Sequence, residues 1–110
     1  MNDESFCGFP LRDMHIPGLR FSIEETYQAS KLVIHDKTGV LWEIRQILFS
    51  GEGEERVPVR ISLYHRSRDG KPMHYQKRSA AANYGGVERL LLYIHHHEQF
   101  KSKGKRKWEH

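Results

Sequence analysis

The chain has 110 residues, 37% apolar and 29% charged, which fits one domain with one core and leaves little room for two. No apolar run approaches the roughly 18 residues needed to cross a membrane. The acidic start Met1-Asn2-Asp3-Glu4-Ser5 lacks the basic and apolar regions of a secretory signal, and the single cysteine, Cys7, excludes an internal disulfide and a multi-cysteine zinc site.

A reducing, cytoplasmic setting with no membrane contact is therefore expected. Net charge is +4, but residues 1–55 carry 5 Lys/Arg against 10 Asp/Glu, whereas residues 56–110 carry 13 against 4. Such a split points to a basic face or tail that meets phosphate or another acidic surface.

Residues 1–18 contain Gly8, Pro10, Pro17 and Gly18 without sustained periodicity and read as an irregular arm, with Phe6, Phe9 and Leu11 free to pack on the domain edge. A single domain is expected over 19–100. Its start has two readings. Ser22 with Glu25 three residues later has the form of a capping box for a short helix over about 23–30, while the alternation of Leu19, Phe21 and Ile23 suits a strand.

Lys31-Leu32-Val33-Ile34-His35 is a short β-branched run, and Asp36-Lys37-Thr38-Gly39 suits a type I turn closing a hairpin. The return strand is Val40 to Phe49, followed by an acidic loop from Ser50 to Glu55. Val57, Val59, Ile61 and Leu63 then alternate with Pro58, Arg60, Ser62 and Tyr64, the clearest period-2 pattern in the chain. Pro58 cannot donate a ladder hydrogen bond, so this strand begins at an edge or a bulge. Asp69-Gly70 is a hairpin signal, and Met73 to Arg78 forms the next strand.

Asn83 is a candidate N-cap, and Val87, Leu90, Leu91 and Ile94 fall on one helical face. The helix is expected to end near Phe100, before the basic tail 101–110. The fold class is thus α+β: an antiparallel meander of about four strands packed on a C-terminal helix, with its other sheet face open.

Two registers of the 57–78 hairpin are open. A two-residue loop pairs Tyr64 with Tyr75 and Arg66 with Met73, placing Arg60, Ser62, Tyr64, Arg66, Tyr75 and Lys77 on one face. That makes an aromatic platform ringed by cations, suited to stacking unpaired bases, but sets Gln76 and Arg78 beside Leu63 and Ile61 in the core. A three-residue loop puts Met73 and Tyr75 in the core and His74, Gln76 and Arg78 on the open face. In either case the candidate nucleic-acid-binding residues are Arg60, Tyr64, Arg66, Arg68, Lys71, Lys77 and Arg78. The tail adds Lys101, Lys103, Lys105, Arg106 and Lys107 as groups that bind polyanions without reading sequence.

His95-His96-His97 cannot chelate one ion from a helix, since consecutive residues point about 100° apart, and these residues read as surface histidines near a helix C-terminus. His65 and His74 make a two-ligand pair without a nearby cysteine. No metal or cofactor is therefore expected. No nucleophile elbow, P-loop or dinucleotide fingerprint occurs, so the chain reads as non-enzymatic. A small ribonuclease needs no such motif, and Arg45, Arg60, Tyr64, His74 and Lys77 are an inventory that could serve one.

Leu32-Val33-Ile34-His35-Asp36, the turn into Val40-Leu41-Trp42-Glu43-Ile44-Arg45, Arg60-Ile61-Ser62-Leu63 and the helix around Glu88-Arg89-Leu90 together resemble the single-stranded-nucleic-acid-binding modules of the Pur-alpha and positive-cofactor-four type. Those are β-β-β-β-α units, and the likeness spans 31–100. It implies a homodimer whose curved sheet holds the strand. The hairpin 64–79 is a departure, since those modules pass directly from the Arg-Ile-Ser-Leu-like strand into the helix. A second likeness, to RelE-type RNase toxins, rests on Leu41 to Arg45 and Met73 to Arg78, without the N-terminal helical hairpin of those toxins. The expected function is single-stranded DNA or RNA binding. The alternative is an inhibitor or adaptor, of phage or mobile-element type, docking on an acidic protein surface.

Overall fold

The computed structural model describes residues 4–25, 29–50, 56–67 and 71–108, excepting the side chains of 48–50, 56–58 and 101–108. Among the described residues seven strands precede one helix: β1 (Ser5–Phe6), β2 (Phe9–Pro10), β3 (Arg20–Glu25), β4 (Ser30–Asp36), β5 (Gly39–Ser50), β6 (Arg56–His65), β7 (His74–Ala81) and α1 (Tyr84–Trp108), with a 3-10 turn at Leu11–Asp13. β1 and β2 form a small hairpin of their own, while β3 to β7 form one antiparallel sheet in sequence order. The α+β meander is as expected, with one strand more.

That additional strand is β3, where alternation overrides the capping box. Phe21 and Ile23 pair with Ile34 and Leu32, so the apolar side chains of β3 join the core face of its neighbour. The β4–β5 hairpin forms as its turn residues dictate: Asp36 pairs with Gly39, and Asp36 Oδ1 accepts the Thr38 backbone N–H at 2.7 Å, the Asx geometry that stabilises such turns.

Pro58 sits next to a bulge as its missing donor requires. The β5–β6 register shifts after Ile47, leaving Val59 as the extra residue, and the Val59 carbonyl accepts from Ala82 instead.

The core face of the sheet presents Leu32, Ile34, Trp42, Ile44, Ile61, Leu63 and Ala80, and α1 answers with Val87, Leu90, Leu91 and Ile94, all buried. Residues 4–18 are not a loose arm. Phe6, Phe9, Met14 and Ile16 are buried in the same core cluster. Cys7 and Gly8 form the β1–β2 turn with φ of 51° and 83°, the two positive angles of a type I′ hairpin. α1 packs on β6 and β7, whereas β1 touches β4 and β2 touches α1. The Phe9 ring stacks on Tyr84 with centroids 4.5 Å apart.

Asn83 caps α1 as expected, its Oδ1 accepting the Gly86 N–H at 2.8 Å. The helix does not stop near Phe100 but runs to Trp108. Lys and Arg are good helix formers, and Gly104 alone among 101–107 costs about 1 kcal/mol. No helix among the described residues is long and apolar enough to cross a membrane.

At the start of α1 the backbone passes so close to the end of β7 that a Cβ on Gly86 would lie 1.8 Å from the Ala81 carbonyl oxygen. Gly85, one residue earlier, has only the Asn83 side chain nearby, at 3.7 Å. Gly86→Ala is expected to destabilise by about 1–3 kcal/mol, lowering the thermal midpoint by roughly 5–20 °C. Gly85→Ala is expected to leave it unchanged or slightly raised. Calorimetry of the two variants checks the close approach.

Candidate functional site

The β6–β7 register decides which side chains share a face. Tyr64 pairs with Tyr75 and His65 with His74, but Ser62 pairs with Ser79 and Ile61 with Ala80. The register is that of the shorter loop at one end and is displaced by two residues at the other, so Gln76, Lys77 and Arg78 together lie across from Leu63. This bulge resolves the conflict in the sequence. Ala80, not Arg78, meets Ile61 in the core, and Arg78 is turned out to the solvent-exposed rim. Lys77 sits in the bulge at φ 55°, a conformation that costs a non-glycine residue on the order of 1 kcal/mol.

On the open face, a row of side chains runs across the strands. The Lys31 ammonium lies 3.4 Å from Glu24 and 3.5 Å from Glu43. Arg45 Nε donates to Glu43 Oε1 at 2.7 Å. The Arg45 guanidinium covers the Tyr64 ring at 4.0 Å, and Tyr64 leans on Tyr75 with centroids 5.5 Å apart. Glu43 is buried within this row. At the β7 end Tyr75 stays 49% exposed, and Arg60 donates to Ser79 Oγ at 2.9 Å. The tyrosine pair expected from the shorter loop thus exists, with one ring half-covered and one ring accessible.

The predicted residues do not form one ring of cations. Arg66 lies beyond the end of β6, and its Nε donates to the Val40 carbonyl at 2.7 Å while its backbone N–H binds the Leu41 carbonyl. It ties down the β4–β5 hairpin and leaves the open face. Arg78 is on the opposite side of β7, its guanidinium 4.0 Å from the Tyr93 ring centroid on α1. Lys77 and Lys71 are exposed. Arg68 and the Asp69-Gly70 turn lie outside the described residues. Lys101, Lys103, Lys105, Arg106 and Lys107 are on the helical backbone of α1, and their side chains also lie outside the described part.

Two residues outside the candidate set read from the sequence join it. Arg89 and Tyr93, with Lys77 and Arg78, line an open groove of about 380 Å³ between β7 and α1. Arg89 precedes the core residue Leu90 and was recognisable only as a helix-surface cation. What brings it to Arg78 is the bulge, which has no sequence signature.

The charge split becomes a gradient across the sheet. β3 carries Glu24 and Glu25 against Arg20, while β6 and β7 carry Arg56, Arg60, Lys77 and Arg78 and no acid. β7 is an edge strand, so the basic side is also the exposed rim.

The histidines are not where a helix C-terminus would leave them. His97 packs edge-on to Trp42 and to His65, each at 5.0 Å. His65 stacks on Trp42 at 3.8 Å, and Trp42 Nε1 donates to Glu98 at 3.0 Å. Only His96 of the three is exposed. This cluster joins β5, β6 and α1 and is structural in its geometry. Among the described residues no group of three or more His, Cys, Asp or Glu side chains is placed to hold a metal ion.

No protein-family model, curated protein or solved structure matches the chain, so the arrangement of its own side chains carries the functional reading.

Cys7 is half-buried in its turn. Burial pushes the thiol pKa up, partly offset by the Gln46 amide donating to Sγ at 3.5 Å. The thiolate is the reactive form, so alkylation of the folded protein should reach half its plateau rate at a higher pH than alkylation of the urea-unfolded chain. Rates measured with iodoacetamide from pH 7 to 10.5 test this; coincident profiles would contradict the burial.

Proposed function

We propose that this protein binds single-stranded nucleic acid along its β7 rim, without catalysis and without strong sequence preference. The observation that carries the reading is the coincidence of an accessible aromatic ring with a rim rich in cations. Tyr75 offers a stacking face to a base, as any base has a π-face to give. Beyond it along β7 come Lys77 and Arg78, with Arg60 across from Ala81 on β6 and Arg89 on α1, cations on elements that carry few acids. An enclosed pocket would suit one small molecule, whereas this surface is long, open and linear. The β7 bulge also disfavours addition of another strand at the edge, which leaves side chains rather than the backbone to do the recognition. The resemblance of 31–100 to Pur-alpha-type modules supports the same class of ligand.

Arg66 has no part in the proposed interface. The cations that remain among the predicted residues are Arg60, Lys71, Lys77 and Arg78, with Arg89 added and the basic turns of α1 beyond Phe100 as an extension.

Fluorescence anisotropy with labelled dT and rU oligonucleotides tests the proposal. Four phosphate contacts imply a salt slope of about −3 for a single strand, so affinity should fall about fifty-fold between roughly 50 and 200 mM salt. No binding at low salt overturns the reading, and binding without salt dependence overturns the phosphate mechanism.

Two variants separate stacking from charge. Tyr75→Ala should weaken strand binding by about 1–3 kcal/mol and leave binding of heparin, a polyanion without bases, unchanged. Deletion of 101–110 should flatten the salt slope with little change in the thermal midpoint. Equal loss of strand and heparin binding in Tyr75→Ala would show that the rim reads charge alone, as a surface for an acidic protein would.

A further inference from the structure

The bulge in β7 re-aims two cations. A regular continuation of the Tyr64–Tyr75 register would carry Arg78 toward Ile61. The observed register moves it out and sets its guanidinium carbon 4.0 Å from the Tyr93 ring centroid. A guanidinium over a ring still has N–H donors at its edge, available to a ligand beside it. Because Arg78 already rests on Tyr93, less of its freedom is lost on binding than for an unsupported side chain.

Lys77, the adjacent residue, occupies a backbone conformation natural to glycine or asparagine. Arg89, exposed on α1, lines the same groove from the other wall.

We propose that Lys77, Arg78 and Arg89 form a phosphate cradle between the β7 bulge and α1. This deepens the reading of the rim as a nucleic-acid interface and rests on it for the source of the phosphate, a diester of the bound strand. The chemistry favours phosphate over a lone carboxylate. Two arginines and a lysine line one open space, no acid is among its described lining residues, and the tetrahedral oxygens of a phosphate accept from several directions at once. At about 380 Å³ the groove lies at the small end of ligand sites, and its openness suits one segment of a longer polymer. A strand whose base stacks on Tyr75 would pass over the rim at Lys77 and set a neighbouring phosphate in the cradle.

Two measurements on the full chain test this. In the first, backbone amide spectra are recorded during titration with inorganic phosphate, with sodium chloride of equal ionic strength as reference. Phosphate-specific shifts should cluster at 77–79 and around 89–93 and vanish in Arg89→Glu. In the second, anisotropy with dT12 compares wild type, Arg89→Glu and Lys77→Gly. At about 0.1 M salt, removing one cation from the phosphate backbone weakens single-strand binding about fivefold, from a slope of about 0.7 per phosphate neutralised. Lys77→Gly should therefore weaken binding about fivefold while keeping or raising the thermal midpoint, since glycine relieves the positive φ. Arg89→Glu, a charge reversal at an exposed site, should weaken it about twentyfold.

Phosphate shifts at the groove without strand binding by the wild type would uphold the cradle and overturn the nucleic-acid reading. Strand binding that neither variant weakens, with no phosphate-specific shifts, would overturn the cradle and leave that reading to Tyr75 and Arg60. Phosphate shifts scattered over the surface would overturn the cradle irrespective of strand binding.

Discussion

The width of the sheet is the constraint on which the rest of the molecule depends. Five strands spaced about 4.8 Å apart span about 19 Å, whereas one helix with its side chains is about 10 Å across. α1 can cover β6, β7 and part of β5, and no more. The remainder of the core face, over β3 and β4, would meet water unless something else lay on it. The β1–β2 hairpin and the residues after it supply that cover through Phe6, Phe9, Met14 and Ile16. The positive φ angles at Cys7 and Gly8 follow from this, because a two-residue turn that folds a short hairpin back over the sheet must be of the primed kind.

The same geometry assigns the two sides of the sheet different tasks. One side is closed by a helix and a hairpin, with the Trp42, His65, His97 and Glu98 cluster joining three elements at one end. The other is a solvated lattice in which opposite charges alternate through Glu24, Lys31, Glu43 and Arg45. Those charges largely satisfy one another around the buried Glu43 carboxylate. Charge left over for a partner is therefore found where the lattice ends, at β7. Being an edge strand, β7 carries a bulge, and the bulge is what distributes its cations between the open face and the helix side.

Much of this was legible in the residues. The Asp36 to Gly39 turn and the Asn83 cap are followed by the structure, whereas the period-2 run from 57 holds only for Ile61 and Leu63, which are buried, because the bulge turns Val59 out to solvent. Ser22 to Glu25 carries two competing signals. The strand prevails because Phe21 and Ile23 find apolar partners across β4, which a capping box alone cannot offset. The segment before Pro17 was opaque because its turn uses Cys7 at φ 51°, and cysteine is not among the residues that mark such turns. The β7 bulge was opaque for the same reason, with lysine in the left-handed region. Arg66 reads as a strand residue facing outward with Arg60 and Tyr64, yet β6 stops one residue before it and its guanidinium turns to the Val40 carbonyl. A local pattern cannot reveal where a strand ends when the reason lies in another hairpin.

The stacking of Phe9 on Tyr84 has a consequence for how the molecule is made. Strands β3 to β7 pair in the order of their synthesis, so each hairpin can form as soon as its second strand is available. The cover over the sheet is different. Its first part is synthesised before any strand of the large sheet, and the helix it leans on is synthesised after the last. Contacts of such long sequence separation are slow to form, and until they do, the apolar face of a nearly complete meander stands uncovered, a state prone to association with other chains. The order of translation therefore places the most vulnerable moment of this fold after its last strand, when one late helix closes the core over segments made before and after the sheet.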